Sequence, residues 1–299
     1  MGKIDVYQSI GGLAPDAVQK IVDRLEFRGK DPFFAAMRET YLDRMDLSSR
    51  TRVLDLGCGT GVATRALAMR SDFKGDIVGI DLSDALIEAA KGFAADEGLS
   101  DRIEFRAGDC HALDDADESY DAVVTHTLIS HVTDPGGLIA SAARVLGPGS
   151  PMAIFDGDYG SMIFGTGDAK LNASMVKGIL DAVVANPHVM RQLPGLLKQQ
   201  GLQILDFIPD VYAEAGEGSF YANLAESYVP MAIKAGTIPE DIGPEWLSGQ
   251  RAAVEEGTFF GAEPATTTPI WRRNRARRRR RRCAACRPGK PKPQSLSLI

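Results

Sequence analysis

Two kinds of hydrophobic patterning divide the chain. Up to residue 50 the apolar positions recur at helical spacing. Ala17, Ile21, Val22 and Leu25 follow Pro15, and "DPFFAAMRETYLDRM" sets Asp31 as an N-cap before Pro32 at the first helical position. From residue 51 short, continuously apolar runs alternate with amphipathic stretches. "RVLDLG", "DIVGID", "RIEFRAGD", "YDAVVTHT" and "PMAIFDGD" read as strands. "VATRALAMRS", "SDALIEAAKGFAADEG" and "DPGGLIASAARVLGPG" read as helices, with Ser83 as N-cap of the second. Strands alternating with helices of about 10–15 residues imply crossover units and a parallel sheet. Strands without polar alternation imply helices on both faces. Residues 160–200 read as helical, "LQILDFIPDVYAEA" as a sixth strand, and "SFYANLAESYVPMAIKAG" and "PEWLSGQRAAVEEG" as two more helices.

These elements predict one α/β domain. Residues 1–50 form an N-terminal helical lid, 51–160 a ligand-binding core, and 161–262 helical additions with the remaining sheet on the substrate side. Residues 263–299 form a basic, disordered tail. At 299 residues and 44% hydrophobic content the chain can bury a substantial core. No stretch approaches the roughly 18 consecutive apolar residues of a membrane span. The N-terminus lacks the apolar segment of a signal peptide. The expectation is a soluble, cytoplasmic protein without a membrane partner.

The net charge of −6 conceals two opposed parts: after Trp271 stand ten Arg, two Lys and no acid, which leaves −18 on the rest. An acidic body does not offer a nucleic-acid surface, so such binding is expected only non-specifically through the Arg-rich tail. Cys283 and Cys286 form a lone "CAAC" with no second pair or nearby histidines, and no metal is expected.

Candidate chemistry gathers at strand ends. Asp55, Asp81, Asp109 and "THT" at 125–127 all fall at strand carboxyl ends, where open parallel sheets bind ligands. "LGCGTG" lets bare backbone approach a ligand at positive φ, and the helix after Gly61 presents unpaired N–H groups. The dinucleotide fingerprint G-x-G-x-x-G/A fails at Val62, and no P-loop lysine follows. Asp81 sits where a carboxylate binds ribose hydroxyls. Asp109 can accept from an adenine amino group. Three carboxylates disfavour an anionic pyrophosphate and suit a ligand with a sugar, an amine and positive charge.

The segments "VLDLGCGTG" (53–61), "GIDLSDALIEAA" (79–90), "FRAGDCHAL" (105–113), "YDAVVTHTLISHVTDP" (120–135) and "ARVLGPGSPMAIFD" (143–156) together resemble the class I S-adenosylmethionine-dependent methyltransferases. Within them the chain is most similar to the bacterial small-molecule branch that includes ubiquinone/menaquinone C-methyltransferase-like proteins. The resemblance implies a Rossmann-like, seven-stranded sheet whose last strand is antiparallel. It implies S-adenosyl-L-methionine as cofactor and methyl transfer to a small-molecule acceptor. It places Gly57, Gly59 and Gly61 against the cofactor's amino-acid part; Asp55, by its own position at the end of the first strand, can help hold a ligand ammonium through ordered water or backbone. Asp81 and Leu82 fall at the ribose, Asp109 and Cys110 by adenine, and Thr125 at the methionine end. His131, Asp156 and Asp158 are candidate catalytic or acceptor-binding residues beyond the fourth and fifth strands, with His126 and Tyr159 nearby. Phe33, Phe164, Tyr221 and Tyr228 are candidate pocket aromatics. Two rivals remain: a cofactor-binding or nucleic-acid-associated protein without catalysis, and an NAD-dependent oxidoreductase, which Val62 disfavours.

The last antiparallel strand is due after "GTFFGA", but "EPATTTPIW" carries two prolines and reads poorly as a strand. A synonymous coding of residues 263–272 read in another frame encodes a strand-like segment. The chain past about Ala262 is therefore expected to be a frameshift product with the last strand disrupted.

Overall fold

The computed structural model describes Gly12 and residues 14–272. The chain enters through two helices, α1 (Pro15–Lys30) and α2 (Pro32–Asp43). Asp31 separates them, its Oδ1 accepting from Phe33 N as an N-cap. The alternating core follows: β1 (Arg52–Leu56), α3 (Val62–Met69), β2 (Asp76–Asp81), α4 (Asp84–Asp96), β3 (Ile103–Ala107), β4 (Ala122–His126), α5 (Pro135–Val145) and β5 (Pro151–Gly157). Then come β6 (Ile163–Phe164), α6 (Ala169–Val183), α7 (Val189–Gln199), β7 (Leu202–Ile204), β8 (Ile208–Gly216), α8 (Phe220–Lys234), α9 (Ile242–Glu255) and β9 (Phe259–Arg272). Ser83 caps α4 through Leu86 N, as its position predicts.

The sheet order is β3-β2-β1-β4-β5-β9, parallel up to β5 and antiparallel at β9. On the far side of β9, β8 and β7 lie end to end, both antiparallel to it. The expected sixth strand is thus present but broken at residues 205–207. The short β6 continues the β5 side of β9.

Helices cover both faces, which explains the apolar strands. Leu54, Leu56, Val78, Ile80 and Val123 pack with α5 and α7. Val53, Ile77, Val124 and Phe155 pack with α2, α3 and α4. Each such fully buried side chain contributes about 1.5–3 kcal/mol. A third apolar cluster joins α6, α8, α9 and Phe259. Phe164 and Tyr221 belong to it and Phe33 packs against the α2 cluster, so these aromatics fill the core.

The chain beyond Ala262 departs from the sequence reading. The segment 263–272 makes up most of β9, paired with β5 from Ala265 to Trp271 and with β8 and β7 on its other side. Its prolines sit where the ladder does not need their missing N–H. The Pro264 carbonyl accepts from Asp158 N, one residue past the end of β5. Alternation turns residue 269 to the other neighbour, where β7 has ended at Ile204 and β8 begins only at Ile208. The expectation of a disrupted last strand is corrected. The Arg-rich run and Cys283–Cys286 lie outside the described residues.

Candidate functional site

The strand order reverses between β1 and β4, and a cleft opens there at the strands' carboxyl ends. Its volume is about 1280 Å³ with its open mouth included.

One end of the cleft is the turn after β1. Gly57, Gly59 and Gly61 all have positive φ, at 67°, 54° and 80°. A Cβ on Gly57 would lie 2.5 Å from Leu128 Cδ1, and one on Gly61 2.7 Å from Phe105 Cζ. The positive φ at all three positions and the crowding at Gly57 and Gly61 favour glycine here. Gly57 N and Cys58 N both donate to Ile80 O, which fastens the turn to β2. Asp81 ends β2 and grips the turn again: its Oδ2 accepts from Gly59 N at 2.9 Å and its Oδ1 from Ser83 N at 3.0 Å. Burial raises its pKa and these backbone donors oppose the rise. Asp55 is deeper. Thr64 Oγ1 donates to its Oδ2 at 2.6 Å, while Oδ1 is buried without a partner. Burial pushes its carboxyl up to about 7. Thr60 Oγ1 is likewise buried without a partner. Two orphaned polar atoms on residues that line one cleft are what a polar ligand would satisfy. Val62, which breaks the dinucleotide fingerprint, seats the lid: Gly29 of α1 packs on its methyl groups.

The other expected cofactor residues are placed differently. Asp109 is exposed, lies outside the cleft lining, and accepts from His111 N and Nδ1, both at 2.8 Å. Leu82 is exposed and also lies outside the lining. Cys110 is half-buried; burial pushes its thiol up to about 12. Asp109, Cys110 and His111 bring potential ligand atoms within 4.8 Å of one another. Thr125 lies inside β4, its Oγ1 buried without a partner, and the cleft is lined instead by the next three residues, His126, Thr127 and Leu128. Thr127 holds φ at 54°, a strained conformation for a β-branched side chain. His126 stacks on Phe155 and its Nδ1 lies 3.0 Å from Tyr41 Oη. Burial and the charges of Arg28 and Arg38 hold it neutral.

The far end of the cleft lies beyond β5, under α1 and α8. His131 and Tyr159 line it, their rings 6.0 Å apart. Asp156 does not line it: fully buried, it accepts from Ser130 N, Ser130 Oγ and Gly157 N, and so fixes the turn that carries His131. Asp158 also lies outside the lining and is engaged by Arg191 and Ser161. Above, Arg24 of α1 stands over the Tyr228 ring of α8 at 4.6 Å. Arg28 lies over Phe34 at 4.2 Å. Arg65 of α3 anchors α1 through Glu26 at 2.7 Å and also pairs with Glu97. Asn223, Leu224 and Glu263 complete this end. Sequence reasoning missed Arg24, Arg28, Asn223 and Glu263. Their positions follow from how the lid and β9 pack, which local pattern does not reveal.

A family described as "Methyltransferase domain" matches residues 47–209, more than half of the chain. The chain belongs to this methyltransferase family. The match runs without a break from just before β1 to the first residues of β8. A ubiquinone biosynthesis O-methyltransferase of Azorhizobium caulinodans is 32% identical over 218 residues, covering 73% of each chain. An uncharacterised 37.1 kDa protein of transposon TN4556 from Streptomyces fradiae is 30% identical over 227 residues, covering 75% of this chain and 64% of that one. This chain therefore spans less than two thirds of the latter's length. Among solved structures, geranyl diphosphate C-methyltransferase of Streptomyces coelicolor, in complex with Mg2+, geranyl diphosphate and S-adenosyl-L-homocysteine, shares the fold. Its TM-score is 0.50 at 16% identity, covering 80% of this chain and 78% of that one. Among the described residues no helix is long and apolar enough to cross a membrane.

Proposed function

We propose that the protein transfers a methyl group from S-adenosyl-L-methionine to a small-molecule acceptor by in-line displacement. One observation carries this: a glycine turn at the sheet's reversal point, flanked by Asp55 and Asp81, opens into a cleft that continues to a separate end under α1 and α8. The residues fit the cofactor. Asp81 is oriented by two backbone donors and retains acceptor capacity for vicinal ribose hydroxyls. Asp55 Oδ1 and Thr60 Oγ1 need partners that a polar amino-acid moiety supplies. Leu82, Asp109 and Cys110 follow the ends of β2 and β3 and are the candidates for the adenine end. The methionine end falls to His126–Leu128 rather than to Thr125. The relatives support the same reading, since the Azorhizobium protein is an O-methyltransferase by name and the Streptomyces structure contains S-adenosyl-L-homocysteine.

When bound, the cofactor supplies an electrophilic methyl group on a sulfonium. The chain's contribution is alignment and water exclusion. α1 and α8, bridged by Arg24 over Tyr228, roof the acceptor. Phe34, Tyr159 and Phe220 give it apolar walls. His131 faces the acceptor, and Asp156 acts as its positioning residue through the Ser130 turn. Asp158 has no part, being held by Arg191.

Calorimetric titration with S-adenosylmethionine, S-adenosylhomocysteine and NAD tests this reading. Binding of the first two and not the third is expected. Binding of NAD alone would establish the oxidoreductase instead. Transfer of a labelled methyl group in an acceptor screen separates an enzyme from a binding protein that has lost catalysis.

A further inference from the structure

Glu263 is the least expected group in the cleft. It lies on β9, only 8% of its surface is exposed, and it lines the cavity. Its carboxylate occupies the space over Gly157, where a Cβ would collide with Oε1. Tyr159 closes in from the same side. Arg28 of α1 is the cation whose charge acts on it. Burying a carboxylate is costly unless a nearby partner compensates it. Arg28 shares the cleft. Its Nε is buried without a partner, and its charge acts on Glu263 and Tyr159 without forming an ion pair. The cleft is thus polarised. Asp55 and Asp81 lie at the glycine turn, and Arg24, Arg28 and Glu263 lie at the other end.

We propose that Glu263 is a catalytic residue that binds the acceptor's hydroxyl and takes its proton, and that the acceptor is a hydroxy acid whose carboxylate pairs with Arg28. The proposal rests on the methyl-transfer reading above. As the acceptor oxygen bonds to the methyl carbon, the sulfur–methyl bond breaks and its electron pair stays on sulfur. The hydroxyl proton passes to a Glu263 oxygen. One positive and one negative charge disappear together, which suits a site closed to water. An amine acceptor is disfavoured because two arginines already make this end cationic. The groups facing Glu263 are Arg28 from α1, Asp156 of β5, Asp158, Tyr159 and Tyr221 of α8. Burial, opposed by Arg28, pushes its carboxyl up to about 8. It gains basicity and ionises at mildly alkaline pH.

The test is calorimetry on the whole protein saturated with S-adenosylhomocysteine, using phenol, benzoate, 3-hydroxybenzoate and benzylamine as probes. In the wild type 3-hydroxybenzoate binds about tenfold tighter than phenol or benzoate, because it alone reaches both the Glu263 carboxylate and the Arg28 guanidinium. Glu263→Gln brings it to the level of benzoate and Arg28→Met to the level of phenol, with cofactor-product affinity unchanged in both. If methyl transfer to 3-hydroxybenzoate is detected, its kcat/KM rises with pH through a midpoint near 8 in the wild type, and this limb is absent in Glu263→Gln. An unaffected Glu263→Gln variant, preference for benzylamine, or no binding of any probe overturns the proposal while leaving the cofactor reading intact. Failure of the wild type to bind S-adenosylhomocysteine overturns both.

Discussion

Replacing Asp81 gives the sharpest test of how the cofactor end works. The carboxylate has two tasks. Within the protein it accepts from Gly59 N and Ser83 N at 2.9 and 3.0 Å. Toward the ligand it has lone pairs left for two ribose hydroxyls. A hydrogen bond to a charged group contributes about 1.5–3 kcal/mol. Losing two ligand bonds in Asp81→Ala therefore costs about 3–6 kcal/mol of binding, or roughly 10²- to 10⁴-fold in Kd. Asp81→Asn keeps one acceptor oxygen and is expected near the geometric middle of that range. The fold loses less, because deleting the carboxylate also removes its burial penalty. A net loss of about 1–3 kcal/mol follows, the cost of leaving the turn's N–H groups without their acceptor. Calorimetry with S-adenosylhomocysteine measures the first quantity and a thermal melt the second. Asp109→Ala is the internal control: exposed and turned to His111, it costs at most about tenfold. A folded Asp81→Ala protein that binds within about threefold of wild type, or an Asp109→Ala effect larger than that of Asp81→Ala, would refute the assignment.

Four further outcomes follow from the geometry. Ending the chain after Arg272 leaves the described sheet whole and a normal melt is expected, whereas ending it after Ala262 removes most of β9 and yields aggregated protein by size-exclusion chromatography. Arg65→Met strands Glu26 and Glu97 and costs about 3–5 kcal/mol by denaturant titration; Glu26→Gln, which keeps the neutral contact, costs less. Gly61→Ala forces a Cβ against Phe105 at positive φ and lowers stability by about 2–4 kcal/mol, the strain and clash together. Asp55 has a folded pKa raised to about 7, so between pH 4 and 7 the native state holds a proton that the unfolded chain has released. Its contribution to stability is therefore greatest at low pH and falls as pH rises through 7. Asp55→Asn removes that dependence, and the Tm of the variant gains on wild type as pH goes from about 4 to 8 by calorimetry.

How much of this was legible in the sequence depends on how local the cause is. Asp31 and Ser83 cap their helices as read, because a cap acts within three residues. The alternating core from β1 to β5 was legible for a similar reason: each strand declares itself as a short apolar run. The glycine turn and Asp81 followed from their place at strand ends. Asp109 and Thr125 show the limit. Both sit at the expected strand ends, but Asp109 finds a nearer partner in His111, and alternation along β4 turns the next residue to the cleft instead. The last strand was misread because proline was weighed without knowing its neighbours. Pro264 faces the end of β5, and residue 269 faces the gap between β7 and β8; neither fact exists until the sheet is assembled. Arg28 and Glu263 are 235 residues apart in sequence and meet only through that assembly.

The position of β9 has a consequence for biosynthesis. The strand that separates β5 from β8 is the last described segment to leave the ribosome, and it pairs with residues made more than a hundred codons earlier. Until it is threaded in, β5 presents a bare edge and the nascent chain lacks one wall of its cavity. Cofactor capture by the earlier strands can precede that moment; commitment of an acceptor cannot, so a half-made polypeptide holding a reactive methyl donor has nothing aligned to receive it.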